Sequence, residues 1–196
     1  MTRTGRPRSF DEEHVVECAR DTFWANGYGA TSIRTLSDEL EVLPGSLHAA
    51  FGSKRALFLR SLQDFAEMSR SSVQSLAASD GPLEAVRGLL ESVLDAAREA
   101  PGRGCMLGNT AMELLPRDEE AREIVHSGLQ AFEQGVEGGL RAAQQAGGIR
   151  EDVDCHSQAR LLVVLVQGLH VTARAELAPE KLQDVIDLAL EAITAS

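Results

Sequence analysis

The sequence lacks any apolar run long enough to cross a bilayer, and no charged and then apolar signal peptide opens it. These absences predict a cytoplasmic protein. Its three cysteines, Cys18, Cys105 and Cys155, form neither a CxxC pair nor a zinc-type Cys/His spacing. An odd count without a signal peptide favours free thiols. The scattered histidines lack partners at helical spacing, so we expect no metal site.

Motifs of common catalytic sites are also missing. The sequence contains no paired carboxylates at catalytic spacing, no nucleophile elbow and no phosphate loop. Cys105, Glu113 and His126 would make a catalytic group only if the fold assembled them, and nothing in the sequence does so. We therefore predict that the protein is not an enzyme and needs no cofactor. A helical-bundle enzyme is the least favoured alternative.

Negative charge is concentrated in one part of the chain. The net charge of the 196 residues is −11, yet residues 1–60 contain eight basic and eight acidic side chains. Residues 61–196 carry the entire excess, and the first ten residues hold three arginines and no acid. An acidic body repels phosphates, so any contact with nucleic acid should involve the N-terminal end. Alone, these arginines could equally be a solubilising tail.

No segment alternates with period two, whereas apolar residues recur at helical spacing throughout, so we predict an all-α fold of about nine helices. Gly, Pro and capping residues set the boundaries. The predicted helices span about 11–26, 32–40, 45–50, 54–77, 82–99, 104–115, 118–145, 154–176 and 179–194.

Residues 27–58 are the most informative stretch. Two short helices are separated by a turn at residues 43–45, and a longer helix begins near Lys54. This is the sequence form of a helix-turn-helix, which places its second helix in the DNA major groove. We predict a DNA-binding domain over residues 1–52 and a second domain over 53–196, linked by the fourth helix.

The same region resembles the TetR/AcrR family of transcriptional regulators. The resemblance is carried by motifs at residues 5–8 (Gly-Arg-Pro-Arg), 23–28 (Phe-Trp-Ala-Asn-Gly-Tyr), 30–32 (Ala-Thr-Ser), 45–47 (Gly-Ser-Leu) and 51–58 (Phe-Gly-Ser-Lys-Arg-Ala-Leu-Phe). It implies a nine-helix subunit, a homodimer joined through helices eight and nine, and a ligand cavity in the body. It also implies that ligand binding moves helix four and spreads the two heads.

The predicted DNA contacts lie around the third helix, because base edges are reached from the start of a recognition helix. Phosphates should be met by basic side chains and by helix N-termini, and the arginine arm could enter a minor groove. The expected set is Arg6, Arg8, Thr31, Arg34, Leu43, Gly45, Ser46, His48 and Lys54. Arg34 could equally be a solvated surface side chain. His48 departs from the tyrosine that is usual in the family.

The body contains soft and polar residues on faces that otherwise look buried, as an adaptable pocket requires. The predicted ligand-binding set is Phe65, Met68, Cys105, Met106, Thr110, Met112, Phe132 and Gln167. Ordinary core packing is the alternative for each. Residues 104–114 also resemble a segment from one branch of the family, in which some members sense electrophiles or oxidants through the cysteine. A helix start and Arg103 should lower the pKa of Cys105.

The last two helices carry more apolar surface than one helix needs against its own subunit. The predicted dimer interface consists of Leu161, Leu165, Gly168, Leu169, Val185, Ile186 and Leu190. Together these features predict a one-component regulator, more plausibly a repressor than an activator, that leaves a palindromic operator on meeting a small molecule or an electrophile. A helical interaction module that no longer binds DNA is the main alternative.

Overall fold

The computed structural model describes residues 10–175 and 179–195. The predicted contacts of Arg6 and Arg8 lie outside these ranges. Within them the chain forms nine α-helices and one short 3-10 turn, as the periodicity predicts. The helices are α1 (Glu12–Asn26), α2 (Ile33–Leu40), α3 (Pro44–Phe51), α4 (Lys54–Gln74), α5 (Pro82–Glu99), α6 (Met106–Leu114), α7 (Glu119–Gln145), α8 (Cys155–Arg174) and α9 (Pro179–Glu191).

Side-chain caps fix the helix starts. Asp11 caps α1 by accepting a hydrogen bond from the Glu13 amide. Ser32 caps α2, with its Oγ accepting from the Thr35 amide at 3.0 Å. Such caps satisfy backbone donors that a helix start leaves unpaired, and each contributes about 1 kcal/mol.

The chain divides into two compact units, Met1–Asp64 and Phe65–Ser196. The functional division at residue 52 stays a prediction. In the first unit Leu36 and Leu47 are fully buried, so α2 and α3 share one apolar core. Phe23 and Phe58 meet edge to face, with ring centroids 5.1 Å apart. Arg20 donates to Asp64 at 2.7 Å.

In the second unit, α5, α7, α8 and α9 enclose a continuous core. Leu140, Leu162 and Ile186 are completely buried at its centre. Glycines on α7 allow close packing: a Cβ at Gly139 would lie 2.9 Å from the Leu76 Cβ, closer than real Cβ contacts come. A glycine costs helix stability, and here that cost is offset by tighter packing.

The end of the chain pairs with the loop between α7 and α8. Helix α9 stops at Glu191 instead of near Thr194, and beyond it the Ile193 carbonyl and the Ala195 amide bond to that loop. The Arg150 amide donates to the Ile193 carbonyl at 3.0 Å, and the Ala195 amide donates to the Gly148 carbonyl at 3.1 Å.

A side chain of α7 holds the same loop from the other side. Gln144 Nε2 donates to the carbonyls of Arg150 and Val153, at 2.9 and 3.0 Å. The loop is therefore fixed both by α7 and by the last turn of the chain.

Across the described ranges, no helix combines the length and the apolar character that crossing a membrane would require. The same residues contain no group of three or more His, Cys, Asp or Glu side chains that could hold a metal ion.

Candidate nucleic-acid interface and effector site

Helix α3 exposes one face and buries the other. Leu47 and Phe51 point into the core of the first unit, and each contributes about 1.5–3 kcal/mol through burial. On the opposite side Gly45 and His48 are exposed, and Leu43, which precedes the helix, is 75% exposed. Ser46 is partly exposed. The predicted base-reading residues therefore lie together on one accessible surface.

The turn before α3 sets the direction of this helix. Glu41 adopts a left-handed conformation, with φ of 52°, and ends α2. Val42 follows with its side chain buried, which anchors the turn to the core. Pro44 then starts α3 at a position where its missing N–H costs nothing.

The start of α2 corrects one prediction. The Thr31 side chain is only 1% exposed, and its hydroxyl donates to the Gly27 carbonyl at 2.7 Å. Its hydroxyl is therefore used inside the protein instead of facing a phosphate. The exposed residue at this helix start is Ser32, the N-cap, which the predicted contact set omitted. The adjacent Thr31 and Ser32 could have indicated this, because only one of two neighbouring residues can be the N-cap of α2.

Lys54 is also engaged inside the first unit. Its Nζ donates to the carbonyls of Tyr28 and Thr31, both at 2.9 Å. The same Nζ lies 4.0 Å from the centroid of the Tyr28 ring. At the start of α4, Ser53 Oγ accepts from the Ala56 amide at 3.1 Å, so Ser53 is the cap there.

Arg34 and His48 are open to solvent. The Arg34 side chain is 91% exposed, and its nearest acidic partner, Asp38, lies 3.8 Å away on the same helix. An exposed pair of this kind is weak and easily exchanged for a phosphate. His48 borders a small cleft of about 80 Å³, whose walls are Ile33, Pro44, Leu47, His48, Phe51, Ser53, Lys54 and Leu57.

Cys105 caps the start of α6 through its backbone and is buried. Burial raises the pKa of its thiol, and this effect exceeds the opposing hydrogen bonds from the Gly108 amide, the Gln167 side chain and the Leu107 amide. The prediction of a lowered pKa was therefore wrong in direction, because it neglected desolvation. Gln167 Nε2 lies 3.7 Å from the sulfur, which brings these two predicted ligand residues together.

The remaining predicted ligand residues fall into two groups. Phe65, Met106 and Thr110 are buried, and Phe132 is partly buried against the core. Met112 is 89% exposed on α6, and Met68 is also exposed on α4. These two methionines were wrongly placed as buried, because helical spacing alone does not reveal which side of a helix faces the core.

The residues predicted for the dimer interface also divide into exposed and buried ones. Leu161, Val185 and Gly168 are exposed, and a Cβ at Gly168 would meet nothing within 4 Å. Leu165 is half-buried.

Leu169, Ile186 and Leu190 are buried in the subunit's own core, so assigning them to the dimer surface was wrong. Val164, Val171 and Leu188 are the further exposed apolar residues of these two helices. Exposed apolar side chains thus remain on both α8 and α9.

Comparison with known proteins agrees with this arrangement. Residues 15–60 match the family model for bacterial regulatory proteins of the tetR family, and residues 82–189 match the model for the tetracyclin repressor-like C-terminal domain. The chain is 30% identical over 192 residues to the HTH-type transcriptional regulator YezE of Bacillus subtilis (strain 168), covering 96% of this chain and 99% of that protein. It is 27% identical over 189 residues to the HTH-type transcriptional repressor DhaR of Mycobacterium sp. (strain GP1), covering 94% and 92% of the two chains.

Among solved structures, a triple-cysteine mutant of the TetR-family regulator CifR in complex with a 26-base-pair operator is similar, with a TM-score of 0.77 and 28% identity. The alignment covers 96% of this chain and 100% of that one. Both family models, and relatives aligned along nearly the whole length, lead to the same assignment. The chain belongs to the TetR family and is a helix-turn-helix transcriptional regulator.

Proposed function

We propose that this regulator is a repressor that binds a palindromic operator as a homodimer and leaves it when an effector binds the second unit. The observation that carries the DNA-binding part is the exposed face of α3. Leu43, Gly45, Ser46 and His48 lie together there, while Leu47 fixes the helix from behind. A major groove accepts one helix presented in this way. The similar structure of CifR is a complex with operator DNA, which supports operator binding by this chain.

Phosphate contacts are proposed for the start of α2 and the start of α4. Ser32 and Ser53 cap these helices, and both are exposed. A helix start offers backbone N–H groups and partial positive charge to an anion. Arg34 adds an exposed cation beside the first of them.

The test uses anisotropy of labelled duplexes from the region upstream of the gene, titrated at low and at higher salt. Leu43→Asp places a negative charge at the start of α3, and aspartate is also a good N-cap, so the fold is preserved. We expect affinity to fall by more than about tenfold, because a buried like-charge contact costs several kcal/mol. Met112→Asp adds the same charge at an exposed residue of α6 and is the matched control.

Unchanged operator binding by Leu43→Asp would contradict the proposed interface. Absence of binding by the wild type at low salt would contradict the function itself and favour an interaction module that does not bind DNA.

The homodimer is proposed to form through the apolar face of α8 and α9. Leu161, Val164, Val171, Val185 and Leu188 expose apolar side chains along it. Gly168 leaves space for close approach of a second helix. Two such faces related by a two-fold axis give a four-helix interface, and that symmetry explains why a palindromic site would be recognised.

Two effector classes were predicted, an apolar ligand and an electrophile acting on Cys105. The thiol is buried and its pKa is raised, which disfavours the reactive thiolate. We therefore favour a ligand that binds without a covalent bond, near Cys105 and Gln167, which lie together in the second unit.

Replacing Cys105 by Ser and repeating operator release with a quinone separates the two classes. Cys155→Ser is the matched control, since Cys155 is also buried and burial also raises the pKa of its thiol. Equal release from wild type and both variants supports a non-covalent effector. Loss of release in Cys105→Ser alone would establish the electrophile mechanism.

A further inference from the structure

Lys54 lies where α4 begins and is partly buried, and three groups of the protein contact its ammonium. The Tyr28 and Thr31 carbonyls each accept one of its hydrogen bonds at 2.9 Å. The face of the Tyr28 ring lies 4.0 Å from the same nitrogen. The two carbonyls accept from two of the three ammonium donors, and the aromatic face adds a cation–π contact to the same group.

The two carbonyls belong to the loop that connects α1 to α2. This loop ends at Ser32, the cap of α2. Thr31 also binds backward to Gly27 through its hydroxyl, at 2.7 Å. Two kinds of hydrogen bond therefore hold the loop. The Thr31 hydroxyl ties it to the end of α1, and Lys54 ties it to the start of α4.

The contacts of Lys54 connect the two helix starts that would meet DNA phosphates. Ser53, its neighbour, caps α4, while Thr31 immediately precedes the cap of α2. A displacement of the loop would change the spacing between these two N-termini. Such sites tolerate only small displacements, because several groups must contact one rigid duplex together.

We propose that Lys54 is a positioning residue: its ammonium holds the α1–α2 loop against the start of α4, and it does not itself contact a phosphate. This inference rests on the proposed operator binding. It replaces the direct phosphate contact that the sequence suggested for Lys54.

The two roles predict different salt dependence. A side chain that neutralises one phosphate adds about 0.9 to the slope of log affinity against log salt. In Lys54→Met the apolar stem stays and the ammonium is lost. We expect operator affinity to fall by about tenfold, since two charge-assisted hydrogen bonds disappear, with the salt slope unchanged. Arg70→Gln removes the same charge from an exposed residue of α4 far from the start of the helix and is the matched control.

A measurement without DNA accompanies the titration. Amide hydrogen exchange of Lys54→Met should be faster than wild type over residues 27–33 and unchanged over α5–α9. This arm is independent of operator binding. If the wild type fails to bind DNA, the proposed function fails, and hydrogen exchange still decides whether Lys54 holds the loop.

Lys54→Arg covers the case in which Lys54→Met does not fold. A guanidinium is larger than an ammonium and its donors lie in one plane, so it fits the space around the single Lys54 nitrogen poorly, whereas it binds phosphates at least as well. We expect weaker operator binding and faster exchange in the loop. Retained or stronger binding by Lys54→Arg, or a reduced salt slope with unchanged exchange in Lys54→Met, would overturn the proposal.

Discussion

His170 should make the stability of the fold depend on pH. This histidine lies on α8 and is mostly buried, and desolvation lowers the pKa of its imidazole to about 4. In the unfolded chain the pKa is about 6.5. As pH falls below about 6.5, the unfolded state therefore takes up a proton that the folded state does not, and stability is lost until the pH reaches about 4.

The size of the effect follows from the two pKa values. Between pH 7 and pH 5 the free energy of unfolding should fall by about 2 kcal/mol from this group, with a limit of about 3 kcal/mol at lower pH. Urea denaturation at pH 7, 6 and 5 measures it, at one protein concentration because a dimer's stability depends on concentration.

His170→Gln should remove most of this dependence, while His126→Gln, which changes an exposed histidine on α7, should keep the wild-type profile. An identical loss of stability in wild type and His170→Gln between pH 7 and 5 would refute the reasoning.

Three further predictions concern packing, assembly and DNA. Gly135→Ala should lower the free energy of unfolding by about 1–3 kcal/mol, because the new methyl group would overlap the Val73 side chain. Gly88→Ala on α5 has open space around it and should raise the free energy of unfolding by up to about 1 kcal/mol. Urea denaturation of the two variants and the wild type measures both effects. Val171→Glu should shift the protein toward monomers in sedimentation equilibrium, and Ala77→Glu, on another exposed surface, should not. Arg34→Ala should weaken operator binding. An equal loss of affinity across DNA sequences, with the slope of log affinity against log salt reduced by about one, would identify a phosphate contact. A relaxed preference at one base pair would identify a base contact.

Several helices were predictable because they carry their own start or stop signals. Asp11 and Ser32 cap α1 and α2, Pro82 starts α5, and Gly27 follows α1. These capping and boundary residues act over three or four positions, so helix boundaries can be predicted from them without knowledge of the rest of the fold. The end of α9 could not be read in this way, because residues 193–195 leave the helix to pair with a distant loop.

The site was predicted as a region but not always as individual side chains. The α3 face was correct as an exposed surface, since a short helix that buries Leu47 and Phe51 must expose the other side. Thr31 and Lys54 were assigned outward roles from their position beside helix starts. Their inward partners are backbone carbonyls of Gly27, Tyr28 and Thr31, which carry no sequence signal at all.

Burial caused the remaining differences. Cys105 lies at a helix start, which favours a thiolate, but the neighbouring helices exclude water, and the second effect is larger. Leu169 and Leu188 have the same side chain and similar spacing, yet one is in the core and the other is on the surface. Such choices depend on how helices dock, which the pattern within one helix does not specify.

The pairing of residues 193–195 with residues 148–150 also restricts how the protein can vary in length. Most surface loops accept insertions, because nothing holds their backbone. Here the connection from α7 to α8 is hydrogen-bonded to residues 193–195. A residue added to that connection would have to be matched by a shift of residues 193–195. A protein fused after this segment should therefore be joined through a spacer beyond Ala195.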